Sequence, residues 1–490
     1  MGLLSRKSVQ ELQEEAGRGT LRRSLGPVNL TTLGIGSVIG TGIFVLTGTA
    51  ASQNAGPALV ISMIVAAVAC AFAGLCYAEL ASMIPVAGSA YTYAYATAGE
   101  IFAWIIGWDL MLEYALSAST VAVGWSGYFV SFMGDLGIHL PPRLAAAPEV
   151  SITLANGTVT HGVFNFPAAM IVLVVSMLLA IGIRESANTN TALVILKVAV
   201  LLVFVAAGAA FVRRANLTPF IPPNTGEFGS FGWSGVMRGA AVMFFAYVGF
   251  DAVSTAAQEA RNPQRDLPVG ILGSLAICTV IYILVATVLI GIVPYSRLNV
   301  PDPLAVGIDS TGLTWLSPVI KISALFGLFS TMLVTLLGQT RIFFTMSRDG
   351  LLPGAFGRVH PRWRTPHVST AITGCVVSVA AGLLPISVLS QLVSIGTLLA
   401  FVLVSVGVLV LRRSRPELER PFRTPWMPWV PILAIISCVA QMVSLPGATW
   451  TRLFVWLAMG MVIYFAYGRW RSRVGLAAAD SPSDKPKAVA

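Results

Sequence analysis

Long apolar stretches, broken by glycine, proline or charge, fill the chain from about residue 28 to residue 468. A helix crosses the hydrocarbon core of a bilayer with about 20 apolar residues, and twelve stretches come close to that length or exceed it. They fall near 28–53, 58–83, 99–133, 164–182, 188–212, 232–258, 268–293, 314–346, 366–384, 387–411, 428–446 and 450–468. The pattern predicts an all-α polytopic membrane protein with twelve transmembrane helices. The third and eighth stretches are long enough to imply tilted helices. What is left is a 1–26 N-terminal arm, an external loop at about 134–163 and a 471–490 tail that reads as disordered.

Composition supports that pattern. Of 490 residues, 56% are hydrophobic and 11% charged, against about 25% charged in a soluble domain. A soluble enzyme, a disordered chain and a disulfide-stapled fold are all excluded. The net charge of +10 is spread over loops, so it argues for topology and not for nucleic acid. With the N-terminus placed in the cytoplasm, 22 of the 31 basic residues fall in cytoplasmic segments, including Arg184, and five fall on the opposite side. That bias predicts a multi-pass protein of the plasma (inner) membrane with both termini cytoplasmic. The basic arm lacks an apolar core of signal-peptide length. The five cysteines lie inside apolar runs and read as packing residues. The four histidines, His139, His161, His360 and His367, sit in loops without metal spacing. Neither a metal nor a cofactor is expected. Asn156-Gly157-Thr158 matches a glycosylation sequon and carries little weight.

Two stretches contain features that a continuous helix does not need. The first holds Gly34, Gly36, Gly40 and Gly42 within nine residues. Such spacing serves close helix packing or an unwound segment whose amides, at the start of a half-helix, hold a carboxylate. The sixth runs Phe245-Ala246-Tyr247-Val248-Gly249-Phe250-Asp251; a break there exposes carbonyls that suit an ammonium group. Two broken helices five spans apart are the mark of an inverted-repeat transporter with its site at the midplane. The matching cargo is a zwitterion, hence an amino acid.

Ionisable residues inside spans are costly and mark function by default. Lys197 lies some nine residues into the fifth span, roughly 13 Å of helix rise. It either snorkels to the surface or pairs with helix-end carbonyls where a transporter otherwise holds sodium. Asp109 and Glu113 share a face of the third span. Asp109, near the cytoplasmic end, reads as structural; Glu113 is a proton relay or a brace for a broken helix. Asp251 is a relay or a helix cap. Glu79 reads as a partner for a cytoplasmic arginine.

At these residues the sequence resembles the amino acid–polyamine–organocation superfamily, and most of all bacterial members of its cationic amino acid transporter branch. The likeness rests on Leu30 through Phe44, on Phe245 through Asp251 followed by Glu259-Ala260-Arg261-Asn262-Pro263, and on Gln339-Thr340-Arg341 with Met346 through Pro353. It implies a five-plus-five inverted repeat with helices 1 and 6 broken: 27–212 as the first repeat, 232–411 as the second, and 428–470 as two added helices. By the same likeness, amides at Val38, Thr41 and Gly42 hold the cargo carboxylate, and carbonyls at Phe245, Ala246 and Val248 hold its amine. Lys197 matches the lysine that replaces sodium in proton-coupled members. Met332 is the position expected to restrict the side-chain pocket. Vertebrate cationic transporters of the family have fourteen spans, so a cationic preference does not carry over.

The expected function is secondary active transport of amino acids by alternating access, with proton symport coupled through Lys197, Glu113 and Asp251. An amino acid exchanger without net ion coupling and a non-transporting sensor stay open as alternatives. A membrane-embedded enzyme finds little support, since the four histidines lie in loops without metal spacing. The expected partners are amino acid, protons and the lipid bilayer, with no nucleic acid; a small membrane subunit is left open.

Overall fold

The computed structural model describes residue 7 and residues 25–473, apart from 87, 154–157, 183–186 and 364. Most of the arm, Arg184, the Asn156-Gly157 half of the sequon and the tail beyond 473 lie outside the described residues. Those described are overwhelmingly helical. α1 (Pro27–Val38) is followed by a wound stretch over Gly42–Ala55, then α2 (Leu59–Met83), α3 (Ser89–Thr97) and α4 (Glu100–Asp135). A two-stranded hairpin, Ser151–Thr153 with Val159–His161, precedes α5 (Phe166–Ile181) and α6 (Ala187–Gly208). Next come α7 (Gly232–Phe244), α8 (Pro263–Ile292), α9 (Pro303–Asp309) and α10 (Leu316–Arg348). The chain ends with α11 (His367–Leu383), α12 (Ile386–Ser414), α13 (Trp429–Ser444) and α14 (Gly447–Ile463).

Local chemistry sets the ends of these helices. Proline in the first turn opens α1, α5, α8 and α9, where its missing N–H costs nothing. Asn165 caps α5 through a bond from the Ala168 amide, and Gly182 closes it in a left-handed conformation. Arg412 and Arg413 occupy the last turn of α12, at the negative end of its dipole.

Among the described residues, eight helical segments are long and apolar enough to cross a membrane, by length and composition: 42–83, 100–135, 191–211, 232–255, 263–292, 316–348, 386–414 and 447–471. Three apolar helices, α5, α11 and α13, are shorter. The chain is therefore a multi-pass, all-α membrane protein. The predicted first and second spans merge into one helical path after Gly42, bent where Gly56 adopts φ +58° before Pro57. The core is built where α10 and α12 pack on α4, and where α8 packs on α1 and α2. These contacts bring the two glycine-marked stretches together.

Candidate functional site

The first break opens after Val38, where Ile39 leaves helical geometry (ψ 94°). Helical winding resumes at Thr41 and runs through Gly42–Leu46 with a wider π turn. A helix that stops leaves its last carbonyls without intrahelical donors. Here the Lys197 ammonium, fully buried on α6, donates to Gly36 O (2.9 Å), Ile39 O (3.1 Å) and Thr331 Oγ1 (2.9 Å). Its three N–H groups thus match three acceptors from two helices. Thr331 in turn lies 3.1 Å from Gly327 O and 3.2 Å from Ile39 O. Gly327 leaves room for the lysine stem, since a Cβ there would stand 3.1 Å from Lys197 Cγ.

The second break follows α7. A single 3-10 turn, Phe245–Tyr247, ends at Val248 in extended geometry (ψ 133°). Gly249 then takes φ +118°, and a Cβ on it would come within 2.9 Å of Ser37 O. Conformation and space both require glycine at this position. Winding resumes over Ala252–Thr255, with the Asp251 carbonyl accepting from the Ser254 amide and hydroxyl. The breaks touch each other: a Cβ on Gly42 would overlap Ala246 Cα. The Tyr282 hydroxyl of α8 reaches both, lying 2.8 Å from Val38 O and 3.1 Å from Ala246 O.

Between the breaks lies a cavity of about 40 Å³, measured as the space open to the centre of a water-sized sphere. By that measure one water needs about 10–15 Å³, so the space holds a small polar group in this conformation. The first break contributes Ser37, Val38, Gly40, Thr41 and Gly42 to its wall, and the second contributes Phe245, Val248, Gly249, Asp251 and Ala252. Helix α4 adds Glu113, Tyr114, Ser117 and Val121; α10 adds Thr331, Val334 and Thr335. Two buried wall oxygens, Thr41 Oγ1 and Glu113 Oε2, have no hydrogen-bond partner.

Of the residues singled out from sequence, Val38, Thr41, Gly42, Phe245, Val248, Glu113 and Asp251 line this cavity. Ala246 stands behind the wall, its carbonyl facing Tyr282. Lys197 is likewise one layer back, joined to the wall through Thr331. Met332 is fully buried but is not among the described lining residues; Thr331, Val334 and Thr335 face the cavity from its helix. Neighbours on a helix point about 100° apart, so the pocket-facing position beside Met332 is Thr331. Asp109 sits one turn from Glu113, both oxygens buried and unpartnered, against Gly396 of α12.

Other buried charges are structural. Glu79 accepts a two-pronged bond from Arg412 (2.9 and 2.7 Å) and one from the Thr424 amide (2.7 Å), as an arginine partner requires. Lys321 pairs with Asp135 at 2.7 Å. Sequence reasoning missed the Glu100 carboxylate, which accepts from Tyr95, Tyr464 and Ser472. Tyr282 and Thr331 were also missed. A hydroxyl inside an apolar run is the one available signal, and many such residues bond to their own helix.

The sequence model of the amino acid permease family matches residues 25–466. The chain belongs to the amino acid permease family. A branched-chain amino acid permease of Bacillus subtilis (strain 168) is 49% identical to this permease-family chain over 471 residues, covering 96% of it and 98% of the relative. A methylthioribose transporter of the same organism is 45% identical, over 95% and 98% of the two chains. A vacuolar cationic amino acid transporter of Arabidopsis thaliana is 39% identical, over 85% of this chain and 68% of its own. A family defined by membrane transport agrees with a cavity enclosed by broken apolar helices. The relatives are named for cargoes as different as branched-chain amino acids, methylthioribose and cationic amino acids.

Proposed function

We propose that the protein is a secondary active transporter of amino acids across the plasma membrane. The observation that carries this reading is the meeting of two helix breaks around one buried cavity, at Gly42 and Ala246. Amides of the first broken helix at Val38, Thr41 and Gly42, the last two at the positive end of its second half, hold the carboxylate. Carbonyls of the second break hold the ammonium, Phe245 and Val248 from the cavity wall and Ala246 from behind it, on Tyr282. A zwitterion satisfies both sets at once; a sugar such as methylthioribose satisfies neither charge.

In this reading twelve spans cross the bilayer with both termini cytoplasmic, and five-plus-five repeats rock against each other to alternate access. The coupling ion is the proton. The Lys197 amine already occupies the carbonyl cradle of the first break, which argues against sodium there and keeps Lys197 among the coupling residues. Glu113 and Asp251, both on the cavity wall, are the groups that exchange protons as the cavity opens to either side. Purified protein in proteoliposomes tests this. Labelled amino acid is expected to accumulate under an inward proton gradient and to ignore an imposed sodium gradient. Uptake that follows sodium and ignores pH overturns the proton assignment.

A further inference from the structure

Tyr282 stands within α8, fully buried, with its ring centre 5.5 Å from that of Tyr247. Its hydroxyl reaches carbonyls on two different broken helices, at Val38 and Ala246. A phenol has one proton to donate, so both acceptors must stay within reach of a single oxygen. From the opposite side Gly42 packs directly on the Ala246 backbone. The breaks are thus held between a hydroxyl supplied by a third helix and a glycine with no room for a side chain. Each break is unwound and they lie about 200 residues apart in sequence, so the chain itself does not fix their separation.

We propose that Tyr282 sets the spacing between the carboxylate half-site of the first break and the ammonium half-site of the second, and thereby selects α-amino acids over β-amino acids. The inference rests on the amino acid cargo proposed above. In an α-amino acid one carbon separates the amine from the carboxyl group; a β-amino acid inserts a second, lengthening the extended span by about 1.3 Å. Two half-sites discriminate on that difference when their own spacing is rigid. Tyr282 is a positioning residue: its hydroxyl acts on the two carbonyls and through them on the cargo.

The test uses the full-length protein in proteoliposomes. Uptake of labelled L-leucine, L-alanine and L-arginine is measured first, and the fastest becomes the probe. Unlabelled L-alanine and β-alanine then compete against it, in the wild type and in Tyr282→Phe. The wild type is expected to favour L-alanine. Tyr282→Phe should shrink that preference about fivefold, the scale of one hydrogen bond, with the thermal midpoint of the purified protein showing that it is folded. If Tyr282→Phe does not insert, Gly42→Ala, which pushes Ala246 away from the first break, carries the same expectation. An unchanged preference in a folded variant overturns the role of Tyr282. Absence of uptake of all three probes by the wild type overturns the amino acid reading itself, before any variant is compared.

Discussion

At the first break the freed carbonyls of Gly36 and Ile39 accept from Lys197, a donor the protein itself supplies. At the second, the Ala246 carbonyl shares one tyrosine proton with Val38, while Phe245 and Val248 face a cavity. Both are interruptions of buried apolar helices, and both leave polar backbone that lipid cannot satisfy. The difference lies in what completes them. A break filled by an internal ammonium is finished before any cargo arrives. A break with half a hydroxyl and an open wall leaves a place that the proposed cargo's ammonium completes. On the proposed function the first is thus a fixed platform that presents amides, and the second is the element whose state changes with loading.

The sharpest way to break that contrast is Lys197→Met. It strips Gly36 O, Ile39 O and Thr331 Oγ1 of a shared donor, at about 1–3 kcal/mol for each buried group left unpaired. Transport is expected to fall below detection, with a marked drop in thermal midpoint. Wild-type uptake with an unchanged pH profile would show that the platform does not depend on the lysine.

Gly249→Ala acts on the other break. It forces a side chain into φ +118° beside Ser37 O, a strain of about 1–3 kcal/mol. Uptake should drop about 10- to 100-fold on that energy scale, mostly through weaker cargo binding, and the protein should remain folded. An alanine variant with unaltered affinity would mean that the second break relaxes freely.

Glu113→Gln keeps shape and removes one titrating oxygen from the cavity wall. Proton-driven accumulation should fall about tenfold or more, the usual scale for losing an acid–base group. Exchange of internal for external amino acid should persist. Equal loss of both would make Glu113 a brace for the broken helix, the other role open to it from sequence.

Much of this contrast is legible in the sequence, and the reason is physical. Apolar run length marks the helices because the bilayer has a fixed thickness. Glycine clustering and an acid after Gly249 mark the breaks because unwound backbone needs both conformational freedom and polar company. Lys197 stands out because a lone ammonium in an apolar run demands partners. The partners themselves are invisible: Thr331, Tyr282 and the shared acceptors come from helices distant in sequence. Met332 shows the limit at finest scale, since one residue along a helix separates a wall position from a buried neighbour. Asp109, read as structural, keeps both carboxylate oxygens without a hydrogen-bond partner among the described residues.

The smallest transport effect is expected far from the breaks. Glu79→Gln weakens the clamp with Arg412 and the Thr424 amide. Breaking a buried pair costs about 3–5 kcal/mol, less here because Arg412 is a quarter exposed. The thermal midpoint should fall by several degrees, while the preference among amino acids stays as in the wild type. A changed preference would tie this distant clamp to the cavity.

One measurement bears most directly on the claim that the paired breaks hold a zwitterion. Competition against a labelled amino acid in proteoliposomes is run with three analogues of one amino acid: the parent, its methyl ester and its deaminated acid. The account predicts that the parent competes and that both analogues fail, because each leaves one break without its charged partner. Strong competition by either analogue would contradict it.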